Sequence, residues 1–151
     1  MRKYLLHVLI ISFVFLLAVT VSYAGEVETY KQEVKKNPDD AVAHYNLGVA
    51  YGELGKHKKA IKSYKHAIRI DPDPKDAVSI GSCYGELGMY QEGIESYKQA
   101  IRIDPDYALA YYGLGHAYLG LNDRGSAMEQ YKILKELDTE LANKLFNLIY
   151  K

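Results

Sequence analysis

Residues 43–55 read Ala43-His-Tyr-Asn-Leu-Gly-Val-Ala-Tyr-Gly-Glu-Leu-Gly55, and the chain carries two further copies of this stretch. The second reads Ala77-Val-Ser-Ile-Gly-Ser-Cys-Tyr-Gly-Glu-Leu-Gly88, and the third reads Ala110-Tyr-Tyr-Gly-Leu-Gly-His-Ala-Tyr-Leu-Gly-Leu-Asn122. The glycine that marks the period recurs after 33 and then 34 residues, at Gly48, Gly81 and Gly115. A repeat of this length predicts stacked units that share one continuous core.

Each copy has two halves with helical spacing. In the first half, one helix face has residues at positions i, i+3, i+4 and i+7, namely His44, Leu47, Gly48 and Tyr51. In the second half, the run Ala60, Tyr64, Ala67 recurs as Gly93, Tyr97, Ala100, and the third copy keeps Ala127 and Tyr131. The pattern therefore predicts one helical hairpin per copy.

The ends of the helices are marked as well. Between the halves stand the residue types that adopt a left-handed backbone at the lowest cost, namely Gly55, Gly88 and Asn122. Asp71-Pro72 and Asp104-Pro105 close the second halves, because proline cannot continue a helix. At Asp73-Pro74, the aspartate can cap the next helix and the proline can be its first residue.

Residues 41–138 resemble the tetratricopeptide repeat (TPR) family. The resemblance rests on the order of a small residue, Tyr, a Gly turn, Ala, Tyr, Ala and Asp-Pro in the repeated copies. The resemblance implies an all-α fold, an α-solenoid of about three TPR hairpins with an N-terminal half repeat and a C-terminal capping helix. The departures are modest: the family's frequent Trp is replaced by His44, Ala77 and Tyr111. Gly93 replaces a packing Ala, which loosens its hairpin by up to ~1 kcal/mol.

We divide the chain into 1–24 (signal peptide or signal anchor), 25–40 (half-repeat helix), 41–73, 74–107 and 108–138 (TPR 1 to 3) and 139–151 (capping helix). The half repeat echoes a second-half helix through Val27, Tyr30 and Val34. The capping helix has two faces. Leu141, Leu145 and Leu148 form its apolar face, and Glu140, Asn143, Lys144, Asn147 and Lys151 form its polar face. We therefore expect a helix with a wet outer side, as repeat arrays need for solubility.

The N-terminus has the pattern of an export signal. Arg2 and Lys3 precede the apolar run Leu5–Val21, and small residues flank a cleavage point after Ala24. The alternative is an uncleaved anchor helix, for which the run is slightly short of the ~20 residues that span a bilayer. Both place the remaining chain outside the cytoplasm, either periplasmic or secreted, or anchored in the membrane. Membrane contact is expected only if the segment is uncleaved.

Composition argues against several functions. The formal net charge is +0, which is no electrostatic signature for nucleic acid. The only cysteine, Cys83, excludes an intramolecular disulfide and is predicted to pack as a small hydrophobe. His57 and His66 lack the spacing of metal ligands, and we assign Asp71, Asp73 and Asp76 to helix capping rather than to calcium. Without a phosphate loop or a nucleophile elbow, we expect no enzyme, cofactor or metal site.

The family resemblance implies a binding surface. First helices of TPR hairpins line a concave groove that receives an extended peptide or a partner helix. Carried over, the groove residues are Tyr45, Val49, Gly52, Val78, Ser82, Gly85, Tyr112, His116 and Leu119. Chaperone-binding members clamp a C-terminal carboxylate with Lys and Asn, but Tyr45 and Val49 stand at the first-repeat positions here, so we expect no clamp. The alternative is that Tyr45 and Tyr112 only pack between helices.

We predict an exported adaptor or scaffold that binds a protein or peptide partner in this aromatic and aliphatic groove. One alternative is a membrane-anchored structural subunit of an envelope or membrane complex, and another is an enzyme. A second surface follows i, i+4, i+7, i+11 on one helix: Lys58, Lys62, Lys65 and Arg69. This basic face could meet an acidic partner or anionic headgroups, or could simply be solvated.

Overall fold

The structure is a computed structural model that describes residues 21–151. Residues 1–20 lie outside the described residues. They include Arg2, Lys3 and nearly all of the apolar run of the predicted signal segment. Helix α1 occupies residues 21–36. It is followed by α2 (Ala41–Glu53), α3 (His57–Ile70), α4 (Pro74–Glu86), α5 (Tyr90–Ile103), α6 (Ala108–Gly120), α7 (Arg124–Leu137) and α8 (Thr139–Ile149).

The helices pack as a row of hairpins. α2 packs against α3, α4 against α5, and α6 against α7, and each hairpin continues onto the first helix of the next. The last helix, α8, packs on both α6 and α7. Within residues 21–151 there is no β-strand. The predicted all-α solenoid is therefore confirmed.

The predicted helix ends are also confirmed. Between the paired helices, the backbone is left-handed at three positions, with φ of 67° at Gly55, 70° at Gly88 and 60° at Asn122. The carboxylate of Asp73 accepts a hydrogen bond from the backbone N–H of Lys75 at 2.8 Å, and Pro74 is the first residue of α4. The one-residue shortening of the period thus falls at a well-capped helix start.

Buried tyrosines lie against glycines in the first two hairpins. Tyr64 and Tyr97 are 5% and 6% exposed. A Cβ built on Gly48 would lie 2.6 Å from the Tyr64 ring, and one on Gly81 would lie 2.8 Å from the Tyr97 ring. In these two hairpins, the small residue of the first half is therefore required by the ring that covers it. Tyr64 and Tyr97 belong to the core.

Cys83 lies in the core cluster of the first two hairpins, with Tyr64 and Ile80. The side chain is 7% exposed, which confirms the predicted packing role. Burial, and secondarily the Glu86 carboxylate, raise the pKa of its thiol to about 11. The thiol is therefore protonated at neutral pH, in contrast to reactive cysteines.

The two ends of the row differ from one another. In α1, Val27 is buried against Leu47 and Ala50 of α2, as the half-repeat prediction requires. In α8, Asn143, Lys144 and Asn147 are exposed as expected. The outer side is nevertheless not entirely polar, because Phe146 of α8 is 39% exposed and Tyr150, which directly follows the helix, is 65% exposed.

These two aromatic rings and that of Tyr131 form a small cluster, the aromatic cluster, in which neighbouring rings are tilted by 44° and 45°. The centroid of Phe146 lies 5.3 Å from that of Tyr131 and 4.6 Å from that of Tyr150. The arrangement arises because α8 packs on α6 and α7 with one side only, through Ala142 and Leu145.

No helix among residues 21–151 is both long and apolar enough to cross a membrane.

Candidate functional site

A cavity of about 250 Å³, which we call the central cavity, lies where α2, α3 and α4 meet. It brings together three residues that the family resemblance places in the groove, Gly52, Val78 and Ser82. Its remaining walls are His57, Tyr64, Ser79, Cys83 and Glu86. The cavity is therefore a partly polar depression, with Glu86 among its walls, within the groove that the sequence predicts to be aromatic and aliphatic with little charge.

Tyr45 and Val49 lie next to this depression on α2, and both are half-buried. The Tyr45 ring centroid lies 5.6 Å from that of the buried Tyr64, and Val49 packs against the same core cluster. Tyr45 therefore packs between helices, as the packing alternative states. The residue also lines a second cavity, so it contributes to both the core and the surface.

The third hairpin supplies one exposed and two half-buried groove residues. Tyr112 and Leu119 pack against the cluster formed by α7 and α8, whereas His116 is exposed. Ser82 of α4 is exposed too, and its Oγ lies within hydrogen-bond distance of the Tyr97 hydroxyl, at 3.3 Å. Ser82 and His116 are therefore the groove positions most open to a ligand.

The second cavity, of about 190 Å³, lies at the N-terminal ends of α2 and α4. Its walls are Ala41, Val42, Tyr45, Asp71, Asp73, Lys75 and Asp76. We call it the acidic pocket, because three of these seven residues are aspartates. Tyr45 belongs both to this pocket and to the predicted groove, so the pocket lies at one end of the groove.

Asp76 is the residue of this pocket that the sequence analysis assigned wrongly. It is not a cap, because Asp73 caps α4. Asp76 is 3% exposed, and its Oδ1 has no hydrogen-bond partner. A signal was available in the repeat: five residues before the marker glycine, the other two copies have the buried Ala43 and Ala110.

The electrostatics of the pocket follow from this burial. Desolvation, then the neighbouring carboxylates of Asp73 and Asp71, raise the pKa of Asp76 to about 7, while Lys75 acts in the opposite direction. None of the three ion pairs in the described part of the chain involves these four residues. At pH 7 the Asp76 carboxyl is therefore about half protonated, and its charged form has no ion-pair partner among residues 21–151.

The predicted basic face of α3 is exposed at all four positions. Two of its cations have neighbours: the Lys65 ammonium donates to the Tyr84 hydroxyl at 3.3 Å, and Arg69 donates to Nδ1 of His66 at 2.7 Å. Lys58 and Lys62 are also exposed, and each lines a shallow depression of the surface. The described ion pairs lie on α1, α5 and α8, so no carboxylate is paired with this face within residues 21–151.

Within the described residues, no group of three His, Cys, Asp or Glu side chains is placed to hold a metal ion. His57 lines the central cavity and His66 stacks on His44, with ring centroids 5.2 Å apart. Burial, and then the charge of Arg69, lower the pKa of His66. The two histidines that the sequence brought up as metal candidates thus belong to different environments.

Family models match three parts of the chain. A model described as tetratricopeptide repeat matches residues 41–74, a second of the same description matches residues 108–140, and one described as TPR repeat matches residues 81–122. No curated protein sequence matches the chain.

Several solved structures are similar. The crystal structure of MamA has a TM-score of 0.76 and 26% identity, covering 85% of this chain and 77% of that one. The second TPR domain of human RPAP3, solved in complex with the HSP70 peptide SGPTIEEVD, has a TM-score of 0.68 and 23% identity, covering 74% and 95%. A thermophilic TPR protein of Thermus thermophilus has a TM-score of 0.72 and 22% identity, covering 83% and 72%.

Proposed function

The chain is a tetratricopeptide repeat protein, and from that premise we propose that it is a non-catalytic adaptor that binds a peptide segment or a partner helix along α2, α4 and α6. The observation that carries the proposal is the open row of groove residues. The central cavity between the first two hairpins leads to the exposed Ser82, and His116 is exposed on the third.

The nature of the groove suggests how a ligand would be held. Tyr45, Tyr112 and Leu119 are fixed on one side by packing, so they can present apolar surface at little further entropic cost. Ser82 and His116 add exposed hydrogen-bonding groups to the same groove. We therefore propose a ligand that is recognised along its length rather than at one end.

The similar structures support a polypeptide ligand. The second TPR domain of human RPAP3 was solved with a bound HSP70 peptide, and another RPAP3 domain was solved with the HSP90 peptide SRMEEVD. This chain has Tyr45 and Val49 at the first-repeat positions where the carboxylate clamp has cationic and amide side chains. A C-terminal carboxylate is therefore not the anchor that we propose.

The N-terminal pattern adds a location to the proposal. Two cations, an apolar run and small residues before Gly25 favour export of the repeat domain, with cleavage after Ala24. The second candidate, which the same apolar run favours, is a structural subunit that retains Leu5–Val21 as an anchor and holds a membrane complex together.

Site-specific photocrosslinking in the native cells tests the adaptor proposal. A benzophenone amino acid is placed at Ser82 or His116 in the groove, and at Glu95 or Glu129 on the exposed faces of α5 and α7 as matched controls. We expect the groove positions to capture one common polypeptide segment that the control positions do not capture. Equal capture from both sets, or capture from the controls alone, would contradict a groove-binding adaptor.

A further inference from the structure

The structure carries an inference about what the groove ligand contains, and this inference rests on the proposed function. We propose that the acidic pocket receives a Lys or Arg side chain of the bound polypeptide, with its cationic group against Asp76. The pocket is a built site rather than a surface cluster of acids, because its central aspartate is 3% exposed and the Oδ1 of that residue lacks any partner.

An unpartnered, buried carboxylate calls for a cation. A buried charge is costly unless it is paired and hydrogen-bonded, and a guanidinium or ammonium group supplies both the charge and the donors. Lys75 does not perform this role within the described structure, because it forms no ion pair there and its side chain is exposed. The carboxylates of Asp71 and Asp73 stand beside Asp76 and add to the attraction.

The remaining walls favour an organic cation over a metal ion. Ala41, Val42 and the ring of Tyr45 form the apolar side of the pocket. The aliphatic stem of Lys or Arg can lie along such a surface while its charged end reaches the carboxylates. The ring of Tyr45 can also face the cation. The described residues contain no trio of side chains placed to hold a metal.

The size and the position of the pocket agree with this ligand. At about 30 Å³ per water molecule, a volume of about 190 Å³ accommodates a side-chain end with several heavy atoms. Tyr45 connects the pocket to the groove. A polypeptide that follows α2 and α4 toward their N-terminal ends would therefore bring one of its side chains to Asp76.

The test uses a small probe that needs no knowledge of the partner. n-Butylguanidinium represents the end of an Arg side chain, and n-butylurea is its neutral counterpart of similar shape. Each is titrated into the isotopically labelled repeat domain, residues 25–151. NMR follows the carboxyl carbon resonance of Asp76 and the backbone amide resonances of the other pocket residues, which remain observable in variants of Asp76. We expect saturable binding of n-butylguanidinium, with at least about tenfold weaker binding of n-butylurea.

Two variants of Asp76 and one control variant localise the binding. Asp76→Asn removes the charge but keeps the shape, and we expect it to weaken n-butylguanidinium binding about tenfold or more. Asp106→Asn changes an exposed aspartate of the corresponding loop in the next hairpin and should leave binding unchanged. Asp76→Ala is a second variant that should fold, because Ala is the buried residue at this position in the other two hairpins.

The pH dependence gives a further readout. The titratable and charged groups that face Asp76 are Asp71, Asp73, Lys75 and Tyr64, and n-butylguanidinium keeps its charge throughout. Because the cation binds the ionised carboxylate, affinity should rise with pH up to about 7 and then level off. A flat profile would count against Asp76 as the binding group.

Three results would overturn the proposal: no saturable shift at Asp76, equal binding of n-butylurea, or unchanged binding to Asp76→Asn. Tighter binding of Ca²⁺ at Asp76, in competition with n-butylguanidinium, would replace the side-chain pocket with a metal site. The titration requires no partner, so it can fail while groove crosslinking succeeds. It can equally succeed while the crosslinking fails, which keeps the two proposals separate.

Discussion

Replacing Asp76 with alanine should stabilise the fold, and the gain should depend on pH. Asp76 is 3% exposed and its Oδ1 is unpartnered, while Ala43 and Ala110 occupy the same position in the other hairpins without any such cost. Asp76→Ala therefore removes a desolvated polar group and installs a side chain that this packing environment already accepts.

The magnitude follows from the pKa and the burial. The pKa of Asp76 rises from 3.8 to about 7, and at about 1.36 kcal/mol per pKa unit this gives an upper bound of about 4 kcal/mol. Mutational costs of one unsatisfied buried group are about 1–3 kcal/mol. The carboxylate also gains a few tenths of a kcal/mol from its place in the first turn of α4. We expect a net stabilisation of about 2–3 kcal/mol above pH 7.

The sign of the pH dependence is fixed by the direction of the shift. The folded protein binds the Asp76 proton more tightly than the unfolded chain does, so wild-type stability falls as pH rises from about 4 to about 7. Asp76→Ala lacks this loss. The stability difference between variant and wild type should therefore be small at about pH 4.5 and full at about pH 8.

Urea denaturation followed by far-UV circular dichroism measures this difference at both pH values. Asp106→Ala is the matched control, because this exposed aspartate belongs to the corresponding loop, and its change should stay within about 0.5 kcal/mol at either pH. A destabilised Asp76→Ala, or a stabilisation that does not depend on pH, would refute the assignment of Asp76 as a buried, unpartnered acid.

Three further predictions concern packing, charge and processing. Gly81→Ala should cost about 1–3 kcal/mol in urea denaturation, because its Cβ would lie 2.8 Å from a buried tyrosine ring. Gly52→Ala, with nothing within 4 Å, should be neutral or stabilising, and equal costs would refute the packing argument. If the basic face of α3 binds an acidic partner, Lys58→Glu with Lys62→Glu should reduce partner capture, and unchanged capture at low salt would show a solvated face. Mass spectrometry of the protein from its native cells should find Gly25 at the N-terminus, whereas an intact N-terminus would favour the anchored subunit.

The hairpins could be predicted from the sequence because their signals are local. Gly55 and Gly88 mark left-handed turns wherever they stand in the fold, and Asp73-Pro74 is a helix start by its own chemistry. The repeat then supplies the order of packing, since each unit must bury its apolar face on the next. Burial of Cys83 follows from the same periodicity.

The errors arise where tertiary packing decides. Asp76 is three residues after a true cap, and only the approach of the neighbouring helices buries it. The exposure of Phe146 and Tyr150 depends on how α8 is rotated against α6 and α7, which helical periodicity does not determine. For Tyr45, the sequence left packing and binding as alternatives, and in the structure the residue packs against Tyr64 and also lines a cavity.

The claim that α2, α4 and α6 bind a polypeptide is tested most directly by chemical-shift mapping of the protein with the segment captured at the groove. The segment is added as a synthetic peptide to the labelled repeat domain, and the amide shifts of residues 41–151 are followed. Binding in the groove predicts that the largest shifts fall on α2, α4 and α6, with Ser82 and His116 among them. Shifts confined to α3, α5 and α7, or to the aromatic cluster around Phe146, would contradict it.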